Sequence, residues 1–231
     1  MSSETVTAAP ATRDALLAAA GRVFAEHGFA AATVRAICAA AGANVAAVNY
    51  HFGSKDRLYL EVLRAGFQRA RRRYPEDFGL NPDATAAERL HAFVRSLLFR
   101  LFDPSPDACH WPLLAREMIE PTAALDALVA EQVRPMAGLM QAIIAELLGP
   151  AAPPEQVRLA ACSLVGQCLF YRHARAVVTR VFPEQGFAPA DLETLARHIT
   201  RFSLAGLRAL RDTRAAVPAT LRTRPPARRR N

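Results

Sequence analysis

The sequence predicts an all-α protein, with a small helical head at the N-terminus and a larger helical body behind it. Three observations carry that expectation. Apolar residues recur at three- and four-residue spacing, as in Leu16, Leu17, Ala20, Val23 and Phe24. The body, from residue 85 to 211, carries no strand signal. Capping residues, glycines and prolines punctuate the pattern at helix-like intervals.

Residues 1–11 are small and polar and are expected to be disordered. Thr12 is a good N-cap for the first helix, with Asp14 favourably placed in its first turn. Gly28 is the expected left-handed stop, after which Phe29 can fold back on the last turn. Thr33 caps a second helix bearing Val34, Ile37, Cys38 and Ala41 on one face. Gly42 supplies a turn with positive φ, and Asn44 is a ready cap for a third helix. That third helix is too short to persist alone and is expected to be held by Val45 and Val48. Gly53 and Ser54 break the chain, and Ser54 caps a fourth helix with Leu58, Val62, Leu63, Gly66 and Phe67 inward. Arginines 69, 71, 72 and 73 close it, where basic residues suit the helix dipole.

A boundary near residues 74–82 divides a head of residues 12–74 from a body of 75–212, followed by a basic tail, 213–231, expected to be disordered. The body reads as a helix over 85–102, a loop at 103–107 and a short helix over 111–119 stopped by Pro121. A long helix from Thr122 to Leu148 should bend at Pro135. Another runs from Pro153 to about Val181, and the last spans 191–211.

An apolar fraction of 52% in 231 residues supports a packed core and excludes a disordered chain. No apolar run approaches the ~20 residues of a membrane span, and the first residues lack a secretory signal. A cytoplasmic protein is expected. The four cysteines fit no zinc spacing and are expected to be buried and reduced, so neither metal nor cofactor is called for. The net charge of +8 is a weaker clue than it looks. Six arginines lie beyond Thr213 with no acid among them, and subtracting these six from +8 leaves +2 for the rest.

The stretch from Ala41 to Asp56 is the most informative. A turn, a short helix, a second break and a helix with a Lys at its start form a helix-turn-helix, the third helix being the one that enters a DNA major groove. Val48 points to the core, while Ala46, Ala47, Asn49 and Tyr50 share the outer side. Asn suits bidentate contact with adenine, and alanine methyls can pack on thymine methyls. Tyr50, His51 and Lys55 are placed for phosphates, as are Thr33 and Arg35 at the start of the second helix. The third helix has no Arg or Lys, so backbone contacts and DNA shape are expected to carry much of recognition. The competing account is a small helical subdomain whose polar residues merely decorate its surface.

Residues 12–67 resemble the N-terminal domain of the TetR family of transcriptional regulators. The resemblance rests on Ala25-Glu26-His27-Gly28-Phe29, Thr33-Val34-Arg35-Ala36-Ile37, Ala41-Gly42-Ala43 and Asn49-Tyr50-His51-Phe52-Gly53-Ser54-Lys55. It implies a homodimer on double-stranded operator DNA, released by a small-molecule inducer bound to the C-terminal domain. By matching positions, Thr33, Arg35, Asn44, Val45, Ala46, Ala47, Asn49, Tyr50, His51 and Lys55 inherit the DNA contacts. Where many members have Tyr-Tyr-His or Tyr-Trp-His, this chain has Asn49-Tyr50-His51. The body is similar to the CecR-like branch through Arg116-Glu117-Met118-Ile119-Glu120-Pro121-Thr122, Glu131-Gln132-Val133 and Gly166-Gln167. Members of that branch often control efflux or drug-response genes.

A sensor needs an apolar cavity with a few polar groups. The candidates are Phe99, Phe102, Trp111, Glu117, Met118, Met140, Gln141, Gln167, Phe170 and Tyr171, with ordinary core packing as the plainer account of the apolar ones. Ala161, Leu164, Val165, Cys168, Ile199, Phe202 and Leu207, on the last two long helices, offer a dimer face that a four-helix bundle would bury. Two alternatives stand beside a ligand-responsive repressor. One is an architectural DNA-binding protein using the Arg-rich tail. The other is a helical enzyme built on Cys109, His110 and Glu117, which lacks an orienting group or oxyanion site.

Overall fold

Caps and left-handed glycines set the helix ends in the computed structural model, which describes residues 9–105 and 110–213. Of the ends expected to be disordered, 1–11 and 213–231, residues 9–11 are helical in α1, and residues 1–8 and 214–231 lie outside the described residues, as does Cys109. Among the described residues all regular structure is helical: α1 (Ala9–Ala31), α2 (Val34–Ala41), α3 (Ala46–Phe52), α4 (Lys55–Arg73), α5 (Ala86–Leu101), α6 (His110–Glu117), α7 (Ala124–Leu128), a π-turn (Val129–Val133), α8 (Arg134–Leu148), α9 (Pro154–His173), α10 (Arg175–Val181) and α11 (Pro189–Asp212).

The caps at Thr33, Asn44 and Ser54 act as read, whereas α1 already begins at Ala9, so Thr12 lies within it rather than capping it. Thr33 Oγ1 accepts from Ala36 N at 3.1 Å, Asn44 Oδ1 from Ala46 N at 2.9 Å and Ser54 Oγ from Arg57 N at 3.1 Å. Each satisfies an orphan donor of a helix start, a bond that stabilises by about 1 kcal/mol. Gly42 turns the chain at φ 62°. Gly28, at φ 78° and ψ 172°, interrupts α1 rather than ending it, and helical turns resume to Ala31. The aromatic rings of Phe24 and Phe29 still meet, 6.1 Å apart.

Two expected helices are divided. The Thr122–Leu148 segment contains a π-turn in which Arg134 N–H reaches Val129 O, immediately before Pro135. Proline crowds the carbonyl four residues earlier, here that of Glu131, and a widened turn relieves the clash. The Pro153–Val181 segment breaks at Ala174, whose ψ of 9° leaves the helical range and separates α9 from α10.

The described residues form two compact units: those within 1–80 and 95–139, and those within 81–94 and 140–231. This differs from a division at Tyr74. The core of the first unit gathers Leu16, Phe24, Ile37, Val48, Leu58, Tyr59 and Leu63 from the head, and Leu113, Ala124 and Leu128 from α6 and α7. The head therefore buries its apolar face partly against a later segment that no local pattern ties to it. At the end of α4, Arg100 Nε and Ser96 Oγ both donate to Tyr74 O at 2.8 Å, which fixes the turn into the body. In the second unit α9 packs on α10 and α11, with Leu164, Cys168, Leu192, Leu195, Ala196 and Ile199 buried.

Candidate nucleic-acid interface

The helix-turn-helix is assembled from α2 and α3 on a floor of α1 and α4. Seven residues cannot sustain α3 by themselves, so its position depends on what it buries. The anchors are Val48 and Phe52, four residues apart on one face and both in the core. Val45 is not an anchor, being 48% exposed at the first turn. The expectation that it packs beside Val48 is corrected, because the second buried position falls one turn later in the helix. Phe52 was legible as apolar, but its place beside the Gly53 break hid its role.

Fixing Val48 and Phe52 inward turns Ala46, Asn49 and Tyr50 outward, and Tyr50 is 80% exposed. Ala47 and His51 are half-buried at the edges of that face, and the rings of Tyr50 and His51 meet edge to face at 4.9 Å. Thr33, Arg35 and Asn44 are exposed at the entry to the motif. Asn44 uses its carbonyl oxygen on the cap, so its amide N–H groups are the ones left for an external acceptor. Thr33 likewise accepts with its oxygen and retains a hydroxyl donor.

Lys55 is engaged inside the unit. Its Nζ donates to Ala30 O at 3.4 Å and lies 4.5 Å from the centroid of the Phe29 ring. It thereby holds the start of α4 against the α1–α2 connection. Two residues on, Arg57 is exposed and its guanidinium lies over Gly53. Arg13 sits 5.2 Å above the Phe52 ring and pairs with Glu61 at 3.4 Å. Arg57 was not singled out from the sequence, where it read as one more polar position on a helix.

The residues expected to line a sensor cavity fall in both units. In the first, the Phe99 ring packs 5.6 Å from Tyr74 and 5.9 Å from Phe78, Trp111 is buried, Phe102 is half-buried and Met118 is exposed. Glu117 is 1% exposed and has internal partners: Tyr59 Oη donates to it at 2.8 Å, Thr122 N at 2.9 Å and Thr122 Oγ1 at 3.0 Å. Burial and this bond push the Tyr59 phenol well above its ordinary value. Glu117 is thus a fastener between α4 and the α6–α7 corner, not an open ligand group. In the second unit Met140 is buried, Gln141 and Phe170 are exposed, and Tyr171 is half-buried against Phe170. Gln167 Nε2 donates to Ser203 Oγ at 3.3 Å.

In the expected dimer face Ala161, Leu164, Cys168, Ile199 and Leu207 are buried and Val165 is half-buried. Phe202 is 65% exposed. With Leu159 and Leu210, also exposed, it borders an open apolar groove of about 580 Å³ between α9 and α11. Cys162 is exposed, against the expectation of burial, whereas Cys38 and Cys168 are buried. Burial pushes the Cys168 thiol up to about 12. No described helix is long and apolar enough to cross a membrane.

Comparison with known proteins gives two family matches. Residues 16–62 match the bacterial regulatory proteins of the tetR family, and residues 86–207 match the C-terminal domain of the HTH-type transcriptional dual regulator CecR. The CecR of Shigella flexneri is 29% identical over 174 residues, which cover 71% of this chain and 76% of that protein. A crystal structure from Pseudomonas aeruginosa PAO1 superposes with a TM-score of 0.64 at 23% identity, over 86% of this chain and 93% of the other. That of AibR in complex with isovaleryl coenzyme A and operator DNA gives 0.61 at 16% identity, over 83% and 97%.

Proposed function

Because the chain belongs to the TetR family of transcriptional regulators, in its CecR-like branch, we propose that it is a homodimeric repressor held on a palindromic operator and released by a small-molecule inducer. The observation that carries the DNA reading is the division of α3. Val48 and Phe52 lock the helix from one side, and Ala46, Asn49 and Tyr50 stand free on the other. A fixed helix with a small, largely uncharged outer face fits the major groove closely, with Asn49 as its adenine reader.

Homodimerisation is supported by the groove between α9 and α11. Leu159, Phe202 and Leu210 are large apolar groups left in water at its edges. Gly166 and Gly206 lie inside these helices, where a Cβ would meet nothing within 4 Å. A glycine inside a helix costs about 1 kcal/mol relative to Ala, and close approach of a partner helix gives that cost a reason. Two subunits joined there as a four-helix bundle would set two reading helices about one DNA turn, or a small multiple, apart. The branch extends the reading to genes of efflux or drug response. AibR, a structural neighbour, binds both an acyl-coenzyme A and its operator, and an inducer of this chain would act by the same linkage.

The test is a binding assay on the DNA flanking this gene, with the parent and Asn49→Ala. The parent should protect a palindrome, and the variant should bind with relaxed base preference. An Asn49→Ala protein with the parent's affinity and sequence preference would remove α3 from the interface. A thermal-shift screen of small molecules against the same protein identifies the inducer, since a ligand that binds the native state raises its melting temperature.

A further inference from the structure

We propose that Arg57 is a backbone-phosphate contact of the DNA-binding head, gripping the strand that passes the C-terminal end of α3. The inference rests on the reading of α3 as the groove helix, and adds a residue outside the positions matched to the family.

The two ends of α3 are chemically unequal. At the entry, Thr33 and Asn44 retain donors and Arg35 is exposed, so the approaching phosphate meets several N–H and O–H groups. At the exit, the N–H of Gly53 is already bonded to Asn49 O and Val48 O. The carbonyl end of α3 repels phosphate, but the N-terminus of α4, which starts at Lys55 only three residues on, attracts it, and a side-chain cation there adds to that attraction.

Three cations stand nearby, and two are committed. Lys55 Nζ is held by Ala30 O and the Phe29 ring, so to reach a phosphate it must share or leave both partners. Arg13 is paired with Glu61 and stacked on Phe52. Arg57 is exposed and has no acidic partner among the described residues. Its side chain leans back over Gly53, where an added Cβ would lie 3.4 Å from Nη1 and 3.8 Å from Cδ. The free guanidinium is thus stationed where α3 ends and α4 begins. Its planar fork suits a phosphate's oxygens, and no conformational change is needed to present it.

The experiment measures binding of a labelled mixed-sequence duplex of about two helical turns over a range of salt concentrations. A phosphate contact contributes about 0.9 to the slope of log K against log salt. Arg57→Gln should flatten the parent's slope by about that amount and weaken binding equally on mixed-sequence and operator DNA, with an unchanged melting temperature. Arg57→Lys should restore the slope. Arg22→Gln, which removes an exposed charge from α1, should leave it alone. The proposal is overturned if Arg57→Gln keeps the parent's slope, or if Arg22→Gln flattens it as much, since net charge then explains the effect. It is also overturned if Arg57→Gln lowers the melting temperature and Arg57→Lys does not restore the slope, because Arg57 would then only cap α3. A parent that binds neither duplex rejects the functional reading itself, an outcome distinct from a variant that binds with an unaltered slope.

Discussion

Helix α4 meets the later part of its unit at two places, and the two are fastened in opposite ways. One turn into α4, Tyr59 reaches Glu117 in a site where both side chains are about 1% exposed. Just over a turn further on, Arg64 donates from Nε to Glu131 Oε2 at 2.7 Å and from Nη2 to Oε1, with Glu61 as a further partner. That second site is about one-third open to solvent. The buried site uses one carboxylate and neutral donors, and the exposed one uses a paired cation and anion. The comparison teaches that formal charge is a poor guide to what holds the unit together. In the buried site each polar group depends on its partner for the bonds that water cannot supply. In the exposed site water and salt replace the partner at little cost.

The largest expected effect follows from emptying the buried site. Glu117→Ala strands Tyr59 Oη and Thr122 N and leaves a cavity, and should destabilise by about 3 kcal/mol or more. Urea unfolding measures it, and a loss as small as a surface substitution would show that water fills the gap. Tyr59→Phe keeps the ring and removes one donor, so the loss should be about 1–3 kcal/mol. A Tyr59→Phe protein as stable as the parent would mean that Thr122 alone satisfies the carboxylate.

Effects at the exposed site should be smaller and conditional. Arg64→Ala should destabilise less than Tyr59→Phe, and its effect should fade at high salt, where the pair is already screened. The pair also carries a pH signature. Hydrogen bonds from Arg64 hold the Glu131 carboxyl below its usual range. A carboxyl lowered by folding contributes stability above its unfolded pKa, and that contribution is lost as pH falls through the folded value. The difference in stability between parent and Arg64→Ala should therefore shrink below about pH 4. A difference independent of both salt and pH would make Arg64 a packing residue. Smallest of all is the expected difference in thiol chemistry: alkylation of the native protein should modify Cys162 well before Cys38 and Cys168, which are buried.

Much of the head was legible because its signals are local. Thr33, Gly42, Asn44 and Ser54 each act within three residues of themselves, and the distance between cap and capped N–H is set by the backbone alone. Helical periodicity likewise separated Val48 from Asn49 without knowledge of the rest of the chain. Other assignments depended on partners far away in sequence. Glu117 looked like a ligand group because a buried acid needs a partner, and the partner is Tyr59, 58 residues earlier. Leu164 and Ile199 looked like a dimer face because apolar residues exceeded what one layer could cover, and both are already buried in the single chain.

What the amino-acid order determined by itself was the all-helical class, the caps and breaks of the head, and the outward face of α3. Those follow from backbone geometry and short-range hydrogen bonds, whose range is a few residues. The tertiary structure decided that the head shares a core with α6 and α7, that Lys55 is tied to Phe29 and Ala30 while Arg57 stays free, and that Glu117 fastens rather than senses. Burial and pairing are properties of what surrounds a side chain, and those surroundings exist only once distant segments have packed.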